Sequence, residues 1–232
     1  MRRFLQGIAA MILLVALCAA ANGAEQDKFF LKANAGYNIP FLSNLSDELD
    51  RQGLGETVDP GYGLSLSLGR TFAGLKWAVE VQFSVAFFPE FQYQNDYDLE
   101  EKKEDFTGKL SHYSYAAILK YRPRPTARSF VPSIGAGLGY SNTYLISGGG
   151  KTHALEGIAI AQVETVIRDN ISLLFEAAFH ADITEDEFDN PYLENVPGDV
   201  VWDSNGNPLA GRFNSIEIHA GIVVWLKQLT EF

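Results

Sequence analysis

Residues Trp77–Phe87 read WAVEVQFSVAF. Trp77, Val79, Val81, Phe83, Val85 and Phe87 fall at every second position, with Ala78, Glu80, Gln82, Ser84 and Ala86 between them. Successive side chains of a strand point to opposite faces, so this stretch predicts a strand with one large apolar face and one small or polar face. A helix would need a period near 3.6, which these residues lack.

The same alternation recurs on both sides. Upstream, Leu31, Ala33, Ala35 and Tyr37 oppose Phe30, Lys32, Asn34 and Gly36, and Tyr62, Leu64, Leu66 and Leu68 oppose Gly63, Ser65, Ser67 and Gly69. Downstream, Tyr113, Tyr115, Ala117, Leu119 and Tyr121 oppose His112, Ser114, Ala116, Ile118 and Lys120. Pro132, Ile134, Ala136, Leu138 and Tyr140 oppose Ser133, Gly135, Gly137, Gly139 and Ser141. A less regular run over 157–167 sets Ala159, Ala161, Val163, Thr165 and Ile167 against Ile160, Gln162, Glu164 and Val166. Leu173, Phe175, Ala177 and Phe179 oppose Leu174, Glu176, Ala178 and His180. The last run sets Ile216, Ile218, Ala220, Ile222, Val224 and Leu226 against Glu217, His219, Gly221, Val223, Trp225 and Lys227.

The composition of the second face decides the class. In a soluble barrel the large apolar residues line a cavity and the polar face meets water. In a membrane barrel the large apolar residues meet lipid, and the interior takes small and charged groups. Here the second face is rich in Gly, Ala and Ser, which suits a narrow interior. The lipid-facing sets hold no Lys or Arg, either of which would cost about 2–4 kcal/mol at mid-membrane. The expected fold is all-β: an eight-stranded antiparallel up-and-down transmembrane β-barrel over residues 25–232, preceded by a cleaved signal peptide over residues 1–24. Arg2 and Arg3, an apolar run from Ile8 to Ala21, and the small residues up to Ala24 carry the second expectation. That run is too short to span a bilayer as a helix. Bulky Leu17 before Cys18 argues against lipidation there.

The chain has 232 residues and a formal net charge of −11. Removing residues 1–24 takes away two arginines and no acid, leaving about −13. Nucleic acid is excluded as a partner, because neutralising phosphates requires Lys and Arg. Cys18 is the one cysteine, so the remaining chain has neither disulfides nor thiolate metal sites.

Connection lengths are expected to alternate. Short ones lie at 69–75, 122–129 and 168–170. Long polar ones join the first and second, third and fourth, and seventh and eighth strands, and an intermediate one surrounds Gly148–Gly150. The long ones carry Asp47, Glu48, Asp50, Asp96, Asp98, Glu100, Glu101, Glu104, Asp105, Glu185, Asp186, Glu187 and Asp189. Arg70, Lys76, Arg122, Arg124, Arg128 and Arg168 gather at the short end. Tyr37, Tyr62, Phe87, Tyr140 and Phe179 at one end, with Trp77, Tyr121 and Phe232 at the other, are placed for interfacial girdles.

On Tyr115–Tyr121 (YAAILKY), Phe130–Ser141 (FVPSIGAGLGYS), Ile167–Phe179 (IRDNISLLFEAAF) and the terminal Phe232, the chain resembles the small eight-stranded outer-membrane barrels of the OmpW, OmpX and OmpA-transmembrane type. The resemblance implies a porin-like protein of the Gram-negative cell envelope with short periplasmic turns and four outward loops. It implies contact with outer-membrane lipids and lipopolysaccharide. It makes Phe232 a signal for the barrel-assembly machinery, although Gln228 and Thr230 interrupt the apolar face that leads to it. Fold does not set function, since such barrels include channels, adhesins and enzymes.

An eight-stranded barrel is just wide enough for side chains to fill. The expected interior is a polar network of Lys32, Glu80, Lys120, Glu164, Glu176, His180, Glu217 and His219 that cross-links the wall. A structural, surface-interaction or narrow-uptake role follows, with no cofactor, metal or catalytic residue. One alternative is an OmpW-like channel for small apolar solutes; another is a lipid-modifying enzyme. His112-Tyr113-Ser114 resembles the His-x-Ser of lipid A deacylases, but both side chains fall on the interior face, away from a lipid substrate. Asp203–Asn207 spaces its oxygens like the start of a calcium loop, yet Asn214 stands where the bidentate Glu belongs. The acidic loops are the better place for loosely held divalent cations. Gly135, Gly137 and Gly139 alternate along a strand with no following helix, so they form no phosphate loop.

Overall fold

A computed structural model describes residues 28–41, 58–95, 104–123, 130–146, 150–184 and 212–226. The proposed signal peptide, Phe232, the acidic clusters at 47–50, 96–101 and 185–189, and the stretch 203–207 lie outside the described residues. Eight strands form one closed antiparallel barrel: β1 Phe29–Phe41, β2 Gly61–Phe72, β3 Trp77–Asn95, β4 Glu104–Tyr121, β5 Val131–Ile146, β6 Gly150–Arg168, β7 Ile171–Asp182 and β8 Asn214–Leu226. Every strand pairs with its sequence neighbour, and β1 closes on β8 from Phe29↔Leu226 to Phe41↔Asn214. Closure removes the unpaired edges that lipid cannot satisfy.

The two faces separate as the alternation requires. Leu66, Ile134 and Phe175 are 61%, 64% and 57% exposed on the outside, while Glu80 and Glu156 are wholly buried. In a soluble barrel that order would be reversed.

The structure corrects the expected boundaries. β3 and β4 continue as a two-stranded ribbon to the pair Asn95↔Glu104, past an irregularity between Phe87 and Glu90, so much of the expected third-to-fourth loop is strand. β5 and β6 pair up to Leu145↔Gly150, so both strands run further toward Gly148 than expected. Alternation of length is therefore not strict. Polar residues outside the bilayer still satisfy their backbone by pairing, although they break the apolar pattern that marks a strand in sequence. At the opposite end β2 runs to Phe72, and the turn narrows to Ala73–Lys76, where Ala73, Gly74 and Leu75 have φ of 51°, 66° and 68°. A further correction concerns Val166. It is 42% exposed beside the β6 irregularity at Val166/Arg168, because the bulge at the turn carries it out of the sealed interior.

Val81 lies mid-wall and outward, opposite Leu68 and Ala117. Val81→Arg is expected to lower the stability of the barrel in lipid vesicles by about 2–4 kcal/mol in urea unfolding. Ser84→Thr, inside the wall, is expected to cost much less. Equal losses would contradict the face assignment.

Candidate functional site

The interior divides into two polar clusters between apolar plugs. Near the short-turn end, Lys32 extends from β1 into the bore. Its ammonium donates to Glu80 Oε1 on β3 (2.8 Å), Glu176 Oε2 on β7 (2.9 Å) and Gln82 Oε1 (3.3 Å). A lysine has three N–H donors, and here all three have acceptors. Lys120 of β4 approaches the other Glu80 oxygen at 2.6 Å and donates to Gln162 Oε1 at 2.8 Å. Gln162 then donates to Glu164 at 2.8 Å, and Arg122 stands 3.6 Å from the same carboxylate. Asn34 donates to Glu176 Oε1 (2.9 Å) and accepts from Ser65. Among the described residues, three cations thus meet three carboxylates across the barrel.

Toward the long-connection end, His180 stands between two carboxylates, with Nδ1 2.7 Å from Glu156 Oε1 and Nε2 3.3 Å from Glu217 Oε2. His112 lies 3.6 Å from Glu156, and His219 lies 3.7 Å from Glu217. Ser114 donates to Glu156, and Asn38 donates to Glu217 at 2.6 Å. Asp182 accepts from Ser141 (2.9 Å) and from the Phe213 backbone N–H (2.7 Å). A Cβ on Gly63 would stand 2.7 Å from His219 Nε2, so glycine makes room for that ring.

Apolar groups close both ends. Phe213 stacks on His112 with ring centres 4.0 Å apart and meets Phe88 at 5.6 Å. At the other end Phe30 and Trp225 (5.3 Å apart) pack with Ala78, Leu174 and Val223. Arg122 lies 4.9 Å over the Trp225 ring. A vestibule of about 110 Å³ at this end reaches Arg122 and Glu164. On the β4–β6–β7 side, Ala116, Ile118, Ile158, Ile160 and Ala178 fill the remaining bore.

The eight residues expected in the interior network are therefore brought inside, but as two clusters. Lys32, Glu80, Lys120, Glu164 and Glu176 form one, and His180, Glu217 and His219 belong to the other. Glu156, Asp182 and Arg122 were missed. Each continues the inward phase by two residues past the run read from sequence, from Ile158, His180 and Lys120 respectively. The His112–Ser114 pair forms no nucleophile–base contact, since Ser114 bonds Glu156 and His112 Nδ1 lies 2.9 Å from Thr143 Oγ1. Asn214, the misplaced ligand of the calcium-like stretch, instead accepts a hydrogen bond from the Asp182 N–H. Among the described residues no group of three or more His, Cys, Asp and Glu is arranged to hold a metal ion.

The outer wall bears a groove of about 500 Å³ over Ala33, Ala35, Leu64, Leu66, Phe83 and Ile222. It does not open into the bore, because β1 and β2 stay paired beneath it from Phe29↔Arg70 to Asn38↔Gly61.

A closed barrel with an apolar outside and an ion-paired inside is a transmembrane β-barrel. Residues 10–195 match the family model for the outer membrane protein beta-barrel domain, and the chain belongs to that family. β8, which closes the barrel, lies beyond the matched stretch. The fold is similar to Neisserial surface protein A (TM-score 0.53, 14% identity, 84% of this chain and 96% of that one). OprG from Pseudomonas aeruginosa is also similar (0.46, 13% identity, 88% and 98%), as is a major outer membrane protein from Thermus thermophilus (0.49, 12%, 86% and 99%). No curated protein matches the sequence.

Glu80→Ala leaves Lys32 and Lys120 buried without their shared carboxylate. It is expected to cost about 3–5 kcal/mol, measured by urea unfolding followed through tryptophan fluorescence. Glu90→Ala, at an exposed position, is expected to stay within about 0.5 kcal/mol of the parent. A neutral Glu80→Ala would show that the lattice does not support the wall.

Proposed function

We propose that this outer-membrane barrel is a closed, non-conducting scaffold that holds its long connections at the cell surface. The observation that carries the reading is the filled bore. Lys32 joins β1 to β3 and β7, Lys120 joins β4 to β3 and β6, and His180 joins β7 to β6 and β8. A hydrated ion would have to displace these contacts and both apolar plugs, and a solute leaving sideways would have to part the β1–β2 ladder. The reading includes export by a cleaved N-terminal signal, short turns in the periplasm and long connections outside. Arg70, Lys76, Arg122 and Arg168 at the short end and the acidic long stretches at the other support that orientation.

Purified, refolded protein in planar lipid bilayers is expected to give no discrete current steps. On whole cells, external protease is expected to cut within 89–107 and 183–211 and to spare 70–76. A reproducible unit conductance would overturn the closed scaffold, and cleavage confined to the short turns would overturn the orientation.

A further inference from the structure

The vestibule at the short-turn mouth of the bore, about 110 Å³, is walled by two cations, Lys28 and Arg122, and two acids, Glu164 and Asp169, with Ser172 and the Trp225 indole beside them. Strand ends and turns from around the barrel meet there, and their backbones are tied to one another. The Lys28 N–H donates to Thr71 Oγ1 at 3.0 Å, and the Lys28 carbonyl accepts from the Thr71 N–H at 2.9 Å. The Arg122 N–H donates to the Lys76 carbonyl at 2.7 Å. The Trp225 N–H donates to the carbonyl of Asn170, next to Asp169, at 2.8 Å. The charged groups are therefore carried on a fixed rim, which lowers the ordering cost of holding a ligand.

Arg122 is the group the fold leaves unmatched. It is 4% exposed, lies 4.9 Å over the Trp225 ring, and buries its Nε without a hydrogen-bond acceptor. Glu164 Oε1 stands 3.6 Å from it, beyond hydrogen-bonding distance, and that oxygen already accepts from Gln162 at 2.8 Å. Lys32, deeper in the bore, has acceptors for all its donors; Arg122, with five, does not. A buried donor left over at the wall of a cavity calls for an acceptor from a ligand. Two positive and two negative groups share this small space, so a ligand of one sign meets repulsion as well as attraction, and a ligand carrying both signs finds a partner for each. We infer that the vestibule binds the zwitterionic head of a small α-amino acid, with the carboxylate on Arg122 and Lys28 and the ammonium on Glu164 and Asp169. The planar guanidinium matches a carboxylate, and the Trp225 indole, donating to Ser172 Oγ at 3.3 Å, gives the site a flat wall. A water takes about 30 Å³ of the liquid, so the space equals about three to four waters. That admits a glycine- or alanine-sized molecule, and a longer side chain would extend out of the mouth. In the orientation proposed above the mouth opens to the periplasm, but binding itself does not depend on that orientation.

The chain has three tryptophans, Trp77, Trp202 and Trp225, whose indole N–H signals are read by proton–nitrogen NMR of the refolded full chain in detergent. Trp225→Phe assigns the signal that reports on the vestibule, and heat-modifiable gel migration confirms folding of each variant. Glycine is expected to shift the Trp225 signal saturably and to leave that of Trp77 in place. Acetate and ethylamine, each with one of the two charges, are expected to bind at least tenfold more weakly. Arg122→Gln is expected to weaken glycine binding by about tenfold or more, the value of one charge-assisted contact. Lys28→Gln and Asp169→Asn, at exposed positions where folding is not at stake, are each expected to weaken it several-fold, and Lys151→Glu at the opposite end is expected to leave it unchanged. No saturable shift at Trp225, acetate or ethylamine binding as well as glycine, or binding untouched by both Lys28→Gln and Asp169→Asn would overturn the site.

Discussion

The pairing of Lys32 with Glu80 and Glu176 in the centre of the bore is the constraint around which the rest of the barrel is organised. Eight strands enclose too little space for water to solvate a charge well, yet each strand must turn one face inward. A wholly apolar interior would make both faces of every strand hydrophobic and remove the pattern that distinguishes inside from outside. Ionised side chains on the inner face fix that distinction, and they are tolerable because each meets a partner from a strand across the bore. Removing one member leaves the others buried without compensation, which is why such pairs are costly to break.

The same lattice accounts for the absence of an evident path through the described residues. Its members span the barrel between β1, β3, β4, β6 and β7, and the histidine–carboxylate cluster repeats the arrangement nearer the long connections. Phe213 and Phe88 cap the upper cluster and Phe30 with Trp225 the lower one, beside a small vestibule that reaches Arg122 and Glu164. Small residues permit this density. A Cβ on Gly69 would collide with the Phe30 ring, so glycine there lets the lower plug seat against the wall. Interior filling and a continuous strand ladder are consistent with a wall whose chemistry faces outward, toward lipid and the cell exterior.

Much of this was legible in the sequence because lipid enforces a period of two wherever a strand crosses it. From Trp77 to Phe87 the pattern is uninterrupted, and the inward positions Glu80, Gln82 and Ser84 follow from it directly. Legibility fell where the strands leave the membrane. Beyond Phe87 and before His112 no acyl chain demands apolar residues, so the ribbon to Asn95↔Glu104 looked like a loop. Glu156 is hidden for the same reason: Lys151 and His153 break the outward apolar phase ahead of it, so the alternation becomes readable only past them. Which charge meets which was not legible at all. Lys32 and Glu176 are far apart in sequence, and their contact depends on barrel width and strand stagger, which no local pattern encodes.

The central claim is that bulky apolar side chains meet lipid while charged ones are sealed inside. Spin labels placed one at a time from Val79 to Val85, with accessibility to oxygen and to a water-soluble nickel complex measured in lipid vesicles, test it directly. The account predicts oxygen access peaking at Val81, Phe83 and Val85, with both reagents reaching Glu80, Gln82 and Ser84 poorly. Strong nickel access at those three inward positions would reveal a water-filled bore, and a reversed phase would invert the faces; either result contradicts the account.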